Sequence, residues 1–279
     1  MRVCLGVSGS VAAVKAPEIA QRLLDQGIHV DVVVTQSAER LMHASYRGEV
    51  PWDKLCALAE NRRTVVVSSA AASQERPGAS NDDDPGDVVP EVRTNEGGDD
   101  HALPNLDRAR LQLWRDEDEW SSYNTVGRDE VLHVELAKRC QLLLIAPLCA
   151  NTLAAMSAGS CANLLSCVVR AWHYNLDPPF ATRLATRFGA HTVARPILVA
   201  PAMNTMMWHQ RITSEHLTTL KDRGVQVVPP ISKVLACGDE GMGAMADVDD
   251  VLAAAVNLLE QQSIAIRLAV ESGLPPFSL

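Results

Sequence analysis

Val3-Cys4-Leu5-Gly6-Val7-Ser8-Gly9-Ser10 is an apolar run that breaks into small residues. The run reads as a buried strand. From Val11 to Gln26 the apolar positions Val14, Ile19 and Leu23 recur at helical spacing, and Gly27 supplies a stop. Val30 to Val34 repeats the strand signal, followed by Thr35, Ser37 and a short helix through Met42. Further along, Leu142–Ala146, Pro196–Ala200 and Val225–Val228 read as strands. They alternate with helical stretches at 129–138, 152–157, 163–172, 214–223 and 247–261. Buried strands alternating with helices predict an α/β protein: a parallel sheet with helices on both faces.

Two stretches interrupt the rhythm. Residues 69–107 include Asn81-Asp82-Asp83-Asp84-Pro85-Gly86 and Gly97-Gly98-Asp99-Asp100. Such a polar, acidic composition buries too little apolar surface to offset chain entropy, and disorder is expected there. Residues 177–195, with Pro178-Pro179, read as a second, shorter irregular insertion. A further strand is suggested at Val65–Val67. The expected organisation is one domain over 1–262 carrying both insertions, then a tail over 263–279.

Charge narrows the function. The chain has 279 residues, 47% of them hydrophobic, and a net charge of -9. Residues 75–120 carry 14 acidic and 5 basic side chains, so the remainder is neutral. Clustered Lys and Arg are needed to hold nucleic-acid phosphates, and no such partner is expected. None of the seven cysteines forms a CxxC pair, which argues against zinc. Cys140, Cys161 and Cys167 lie in apolar stretches and read as buried free thiols of a reducing compartment. No apolar run reaches the ~20 residues of a membrane span. The N-terminus meets a glycine too soon for a signal peptide's apolar region. The expected location is the cytoplasm.

In parallel sheets ligands gather beyond the carboxyl ends of the strands. Gly9-Ser10, Thr35–Ser37, Cys149–Thr152 and Ala202–Asn204 occupy such places. The first suits a phosphate at a helix N-terminus, although alone it reads equally as a tight connection. Asn151 alone reads as a helix cap. Asn204, flanked by Pro201 and several methionines, reads better as a reader of a carbonyl or carboxylate. His133, among aliphatics on a helix, alone reads as packed core. Near the end, Cys237, Gly238, Gly241 and Gly243 suggest a mobile lid carrying a thiol donor or nucleophile. The plainer alternative is a surface turn.

The ordered blocks Gly9-Ser10-Val11-Ala12-Ala13, Glu117-Asp118-Glu119-Trp120, His133-Val134-Glu135-Leu136, Ala146-Pro147-Leu148-Cys149-Ala150-Asn151-Thr152-Leu153, Pro201-Ala202-Met203-Asn204-Thr205-Met206-Met207-Trp208 and Leu235-Ala236-Cys237-Gly238-Asp239 carry a resemblance. Together they resemble the flavin-dependent cysteine decarboxylases, above all the branch acting on 4'-phosphopantothenoylcysteine in coenzyme A synthesis. The resemblance covers nearly the whole chain outside the insertions and tail. It implies a flavodoxin-like (Rossmann-type) fold, FMN and a homotrimer with the active site at a subunit interface. It further implies that Gly9, Ser10, Val11, Thr35 and Ser37 hold the cofactor with Cys149, Ala150, Asn151, Thr152 and Ala202. Asn204 would bind the substrate carboxylate, with Met206 and Lys233 beside it. His133 would be the base and Cys237 the proton donor. The implied chemistry is transient oxidation at the thiol-bearing carbon, loss of CO2 and re-reduction to 4'-phosphopantetheine, with no net redox change. The family usually carries Ser where this chain has Cys149, a weaker hydrogen-bonding group. Two alternatives come from the same resemblance: a regulatory subunit of a protein phosphatase, with the acidic insertion as contact segment, or another flavin enzyme of this fold. The presence of His133, Asn204 and Cys237 together favours catalysis, and the Leu235–Asp239 flap favours the small substrate.

Overall fold

The computed structural model describes residues 1–59, 110–121, 123–126, 128–188, 194–234 and 240–273. The first insertion, 69–107, the suggested strand at Val65–Val67 and the flap residue Cys237 lie outside the described residues.

Six parallel strands form one sheet: β1 (Arg2–Val7), β2 (His29–Val34), β3 (Leu111–Trp114), β4 (Leu142–Leu148), β5 (Ile197–Pro201) and β6 (Gln226–Val227). Their order is β3-β2-β1-β4-β5-β6. The chain builds outward from β1 in one direction, then returns to lay β4 on its other side. This is the doubly wound, Rossmann-type arrangement, and it opens a crevice between β1 and β4.

Both faces of the sheet are covered, because successive strand residues point to opposite sides. In β4, Leu142, Leu144 and Ala146 face one core and Leu143, Ile145 and Leu148 the other. The first core is closed by α1 (Ala16–Asp25), α2 (Gln36–Met42), a helix α3 over 51–59, and the C-terminal helix. A single turn, α4 (Asp118–Ser121), precedes α5 (Leu132–Arg139). The second core is closed by α5, α6 (Ala150–Ala158) and α7 (Leu164–Ala171), followed in the chain by α8 (Pro178–Phe188). After β5 come the short α9 (Thr205–His209) and α10 (Arg211–Asp222), whose Leu217 and Leu220 join that core. A separate antiparallel ribbon, β7 (Ile231–Val234) with β8 (Glu240–Ala244), leads into the last helix, α11 (Val248–Glu271).

At the N-terminal edge of the sheet a buried ion cluster ties three strands to α5. Asp31 on β2 is fully buried and accepts from Arg2 Nη1 at 3.3 Å, Arg139 Nε at 3.0 Å and Trp114 Nε1 at 3.2 Å. Arg139 Nη2 also bonds both Asp31 and Gln112. A lone buried carboxylate is costly; two guanidinium groups and an indole offset that cost.

Several elements differ from the sequence reading. Val11–Lys15 is a 3-10 turn, and the α-helix begins only at Ala16. Pro17 explains this: its ring would clash with a carbonyl four residues earlier, so it must stand in a first helical turn. The stretch 177–195, expected to be irregular, is helical over Pro178–Phe188. Proline is well placed where orphan N–H groups need no partner, so Pro178-Pro179 opens a helix instead of breaking one. Likewise α11 runs through the expected end at Gln261 to Glu271, and part of the anticipated tail is helix. Strand β3 was missed because Gln112 interrupts a four-residue run, as was helix 51–59. Cys140 is buried, but Cys167 is half-buried and Cys161 exposed.

Candidate active site

The ends of β1 and β4 are stitched by one serine. Ser8 is fully buried; its hydroxyl donates to the Pro147 carbonyl and accepts from the Cys149 amide, both at 2.8 Å. The next seam joins β4 to β5, where Ala202 N–H donates to Leu148 O at 2.9 Å. The ribbon closes the row, with Met203 N–H donating to Gly243 O at 2.9 Å. Gly243 has φ +135, and a Cβ there would run into the Met203 carbonyl. Gly241 similarly leaves no room for a Cβ beside the Thr205 side chain. These two glycines, expected to give a lid freedom, instead let β8 press against the β5 turn.

Beyond these stitched ends lies a cavity of about 950 Å³. Gly9, Ser10 and Val11 line it from β1, Cys149, Ala150 and Asn151 from β4, and Ala202 and Asn204 from β5. Lys233 lines it from the ribbon. Thr35, Ser37, Thr152 and Met206 are not among its lining residues. Thr35 instead caps α2, accepting from Ala38 N–H at 3.4 Å. Ser37 packs under Gly9, where a Cβ on the glycine would approach Ser37 Cβ to 2.6 Å. Thr152 is buried against the Cys149 thiol, which caps α6 by accepting from Thr152 N–H at 3.5 Å. Met206 is 73% exposed on α9. Asn204 caps α9, its Oδ1 accepting from Met206 N–H at 2.8 Å. Cys237 lies outside the described residues, in the connection between β7 and β8.

His133 stands apart from the cavity lining. It sits on α5, with Nδ1 2.5 Å from Oε1 of the buried Glu119. In the sequence Glu119 stands only within the block Glu117-Asp118-Glu119-Trp120.

Sequence reasoning missed Ser8 and Lys15. A serine at a strand end looks like any turn residue, and its burial depends on β4, more than a hundred residues away. Lys15 lines the cavity at the close of the 3-10 turn. Burial holds its ammonium below the ordinary lysine range, Lys233 adds to this, and Asp247 and Glu18 oppose it. Lys233 itself pairs with Asp247 at 2.6 Å.

The cavity has a lining suited to a cofactor that carries an anionic group. Its size lies within the range of small-ligand sites. Gly9 is half-buried against Ser37, Ser10 caps the following turn, and Lys15 lines the same cavity. N–H groups at a turn opening of this kind suit a phosphate.

A doubly wound sheet with such a pocket at its reversal point defines a nucleotide-cofactor-binding α/β protein. The chain belongs to the Flavoprotein family, whose model matches residues 1–260. The mouse protein named phosphopantothenoylcysteine decarboxylase is 32% identical over 93% of this chain and 88% of its own length. A rice protein of that name is 49% identical over 52% of this chain. That match spans 59% of the rice protein's length, so the chain spans little more than half of the plant relatives it matches. Among solved structures, a PPC decarboxylase mutant complexed with pantothenoylaminoethenethiol superimposes with a TM-score of 0.58. It is 31% identical, with 93% of this chain and 98% of that one covered. The FMN binding protein AtHal3 gives 0.57 at 32% identity, covering 93% and 97%.

Proposed function

We propose that this chain is an FMN-dependent decarboxylase that converts 4'-phosphopantothenoylcysteine to 4'-phosphopantetheine in coenzyme A synthesis, in the cytoplasm. One observation carries the reading. The phosphate-suited turn Gly9–Val11, the β4 turn Cys149–Asn151 and Asn204 open onto one cavity. They do so in a flavoprotein whose mouse relative bears that name along nearly the whole chain.

FMN, when bound, supplies a reversible acceptor for hydride at the thiol-bearing carbon, and so gives the neighbouring carboxylate an electron sink. Gly9, Ser10 and Val11 would hold its phosphate region, with Cys149, Ala150, Asn151 and Ala202 along the ring system. The remaining work falls to side chains. Asn204 spends its Oδ1 on the α9 cap, which orients the amide; its N–H groups are the end suited to a carboxylate. Lys15 is a cation offered to a phosphate, while Lys233 is paired with Asp247 on the same cavity wall. His133 serves as base and Cys237 as proton donor after CO2 has left. A positioned acid or base of this kind contributes about 10²–10⁴-fold.

We further infer that a second copy completes the site, in a homotrimer. His133 does not line the cavity of its own chain. The cavity mouth and its surroundings also expose Val11, Met206 and Met207. Nothing among the described residues favours the phosphatase-regulating alternative, whose contact segment, 69–107, lies outside them.

The test is direct. Purified protein should carry flavin absorbance and release CO2 from 4'-phosphopantothenoylcysteine. Asn204→Ala should raise KM sharply while keeping the flavin. At low substrate concentration, where Asn204→Ala turns over poorly, its mixed oligomers with His133→Asn should be more active than either variant alone. Flavin-loaded protein that leaves this substrate unchanged overturns the assignment; a monomer with full activity overturns the shared site.

A further inference from the structure

Glu119 sits on the single turn α4, beside α5, and is 6% exposed. One carboxylate oxygen lies 2.5 Å from His133 Nδ1. The other, Oε2, is buried and meets no hydrogen-bond partner among the described residues. No lysine or arginine forms an ion pair with this carboxylate among the described residues; the imidazole is its partner. The groups around it do not relieve the charge. Cys167 on α7 has its thiol pushed up to about 11, by burial first and then by Cys161, Glu119 and Asp116, so it stays neutral. Asp116 carries the same sign and is engaged by the Leu164 N–H at 3.0 Å. A carboxylate taken out of water and left to one imidazole is expensive unless that imidazole donates to it and can become cationic. Stability alone would favour an apolar residue at this position, which points to a role for the charge.

We propose that Glu119 is the positioning residue for His133. It accepts the Nδ1–H bond, holds the neutral ring in that tautomer, and so leaves the Nε2 lone pair as the proton acceptor. This rests on the reading of His133 as the base. In the step it serves, Nε2 takes the proton of the substrate thiol and the S–H electron pair stays on sulfur. The ring becomes imidazolium, and the Glu119 carboxylate is its counter-charge. The logic is that of any imidazole whose second nitrogen is tied to a carboxylate: the tie decides which nitrogen does chemistry.

Three variants separate this from a packing role. Glu119→Gln preserves size but removes the charge and lets an amide N–H face Nδ1. Glu119→Asp preserves the charge on a shorter stem. If Glu119 merely fills space, Gln is the better replacement; if it positions the base, Asp is. The expected result is a kcat about 10- to 100-fold lower for Glu119→Gln, with KM and flavin absorbance near wild type and partial rescue in Glu119→Asp. Nitrogen-15 NMR of the imidazoles, assigned by loss of one signal in His133→Asn, should show the Nδ1–H tautomer in the wild type and its loss in Glu119→Gln. Wild-type kcat in Glu119→Gln beside an inactive His133→Asn overturns the positioning role alone. So does an unchanged tautomer, or a kcat loss matched by equal loss of flavin and thermal stability. Full turnover in His133→Asn overturns the base reading and the positioning role with it.

Discussion

Ser8 and Cys149 meet at the point where the sheet reverses direction, the Cys149 amide donating to the Ser8 hydroxyl at 2.8 Å. The same hydroxyl donates to Pro147 O, as does the Ser8 N–H at 3.2 Å, so one buried residue holds the ends of β1 and β4 in register. These two turns form part of the cavity wall.

Ser8→Ala leaves the Cys149 amide without its partner, while Pro147 O keeps only the Ser8 N–H, at 3.2 Å. Stability should fall by about 1–3 kcal/mol, the cost of stranding buried polar groups. Flavin content should fall with it, because both cavity walls lose their tie. Chemical denaturation and the ratio of flavin to protein absorbance check this. A stable, fully yellow Ser8→Ala protein would show the tie to be dispensable.

Cys149→Ser tests the cap of α6. The thiol holds Thr152 N–H at a long 3.5 Å. A hydroxyl is a better cap acceptor, and the variant should be more stable by about 0.5 kcal/mol with FMN bound at least as tightly. The readouts are thermal midpoint and flavin titration. Weaker FMN binding would mean that the thiol has a role of its own.

Asp31→Ala removes the centre of the ion cluster and leaves Arg2 and Arg139 buried without their carboxylate. The expected loss is about 3–5 kcal/mol, read by urea unfolding. A loss under about 1 kcal/mol would mean that water reaches the arginines.

Gly243→Ala forces a side chain into the Met203 carbonyl at a positive φ. A strained backbone of this kind costs about 1–3 kcal/mol. Turnover should fall further than stability, because the ribbon carries Lys233 and leads into the Cys237 segment. Unchanged kinetics in a folded variant would separate the ribbon from the chemistry.

His173 gives stability a pH dependence. It is buried, and burial first, then Arg195 and Lys138, pull its pKa to about 4 from 6.5. Above pH 6.5 both folded and unfolded forms hold it neutral, and its contribution is intact. As pH falls from 6.5 towards 4, the unfolded chain binds a proton that the folded chain refuses, and stability drops. The loss approaches about 3 kcal/mol once pH lies well below 4, from the size of the shift. Unfolding measured from pH 7.5 to 4 should slope less steeply in His173→Gln; identical slopes would place the protons elsewhere.

Much of this molecule was legible from residue order. Apolar runs at Val3–Val7, Val30–Val34 and Leu142–Ala146 announced buried parallel strands, because a strand covered on both faces must be apolar on both. Gly9–Val11, Cys149–Asn151, Ala202 and Asn204 line one pocket because in such sheets the carboxyl ends of the strands open on the same side. Local chemistry misled where a residue has two uses. Pro178-Pro179 looked like a breaker and opens a helix; Gly241 and Gly243 looked like freedom and are close contacts.

Spacing along the chain carried the strands, their helices and the side on which a ligand must sit, since those follow from periodicity and the handed geometry of the backbone. Pairings between distant segments did not. That Ser8 ties Pro147 to Cys149, that Glu119 grips His133, and that His133 does not line the cavity of its own chain depend on how segments up to 141 residues apart come together. Such contacts leave no periodic trace, because each hydrogen bond depends on the positions of two atoms that folding alone brings within reach.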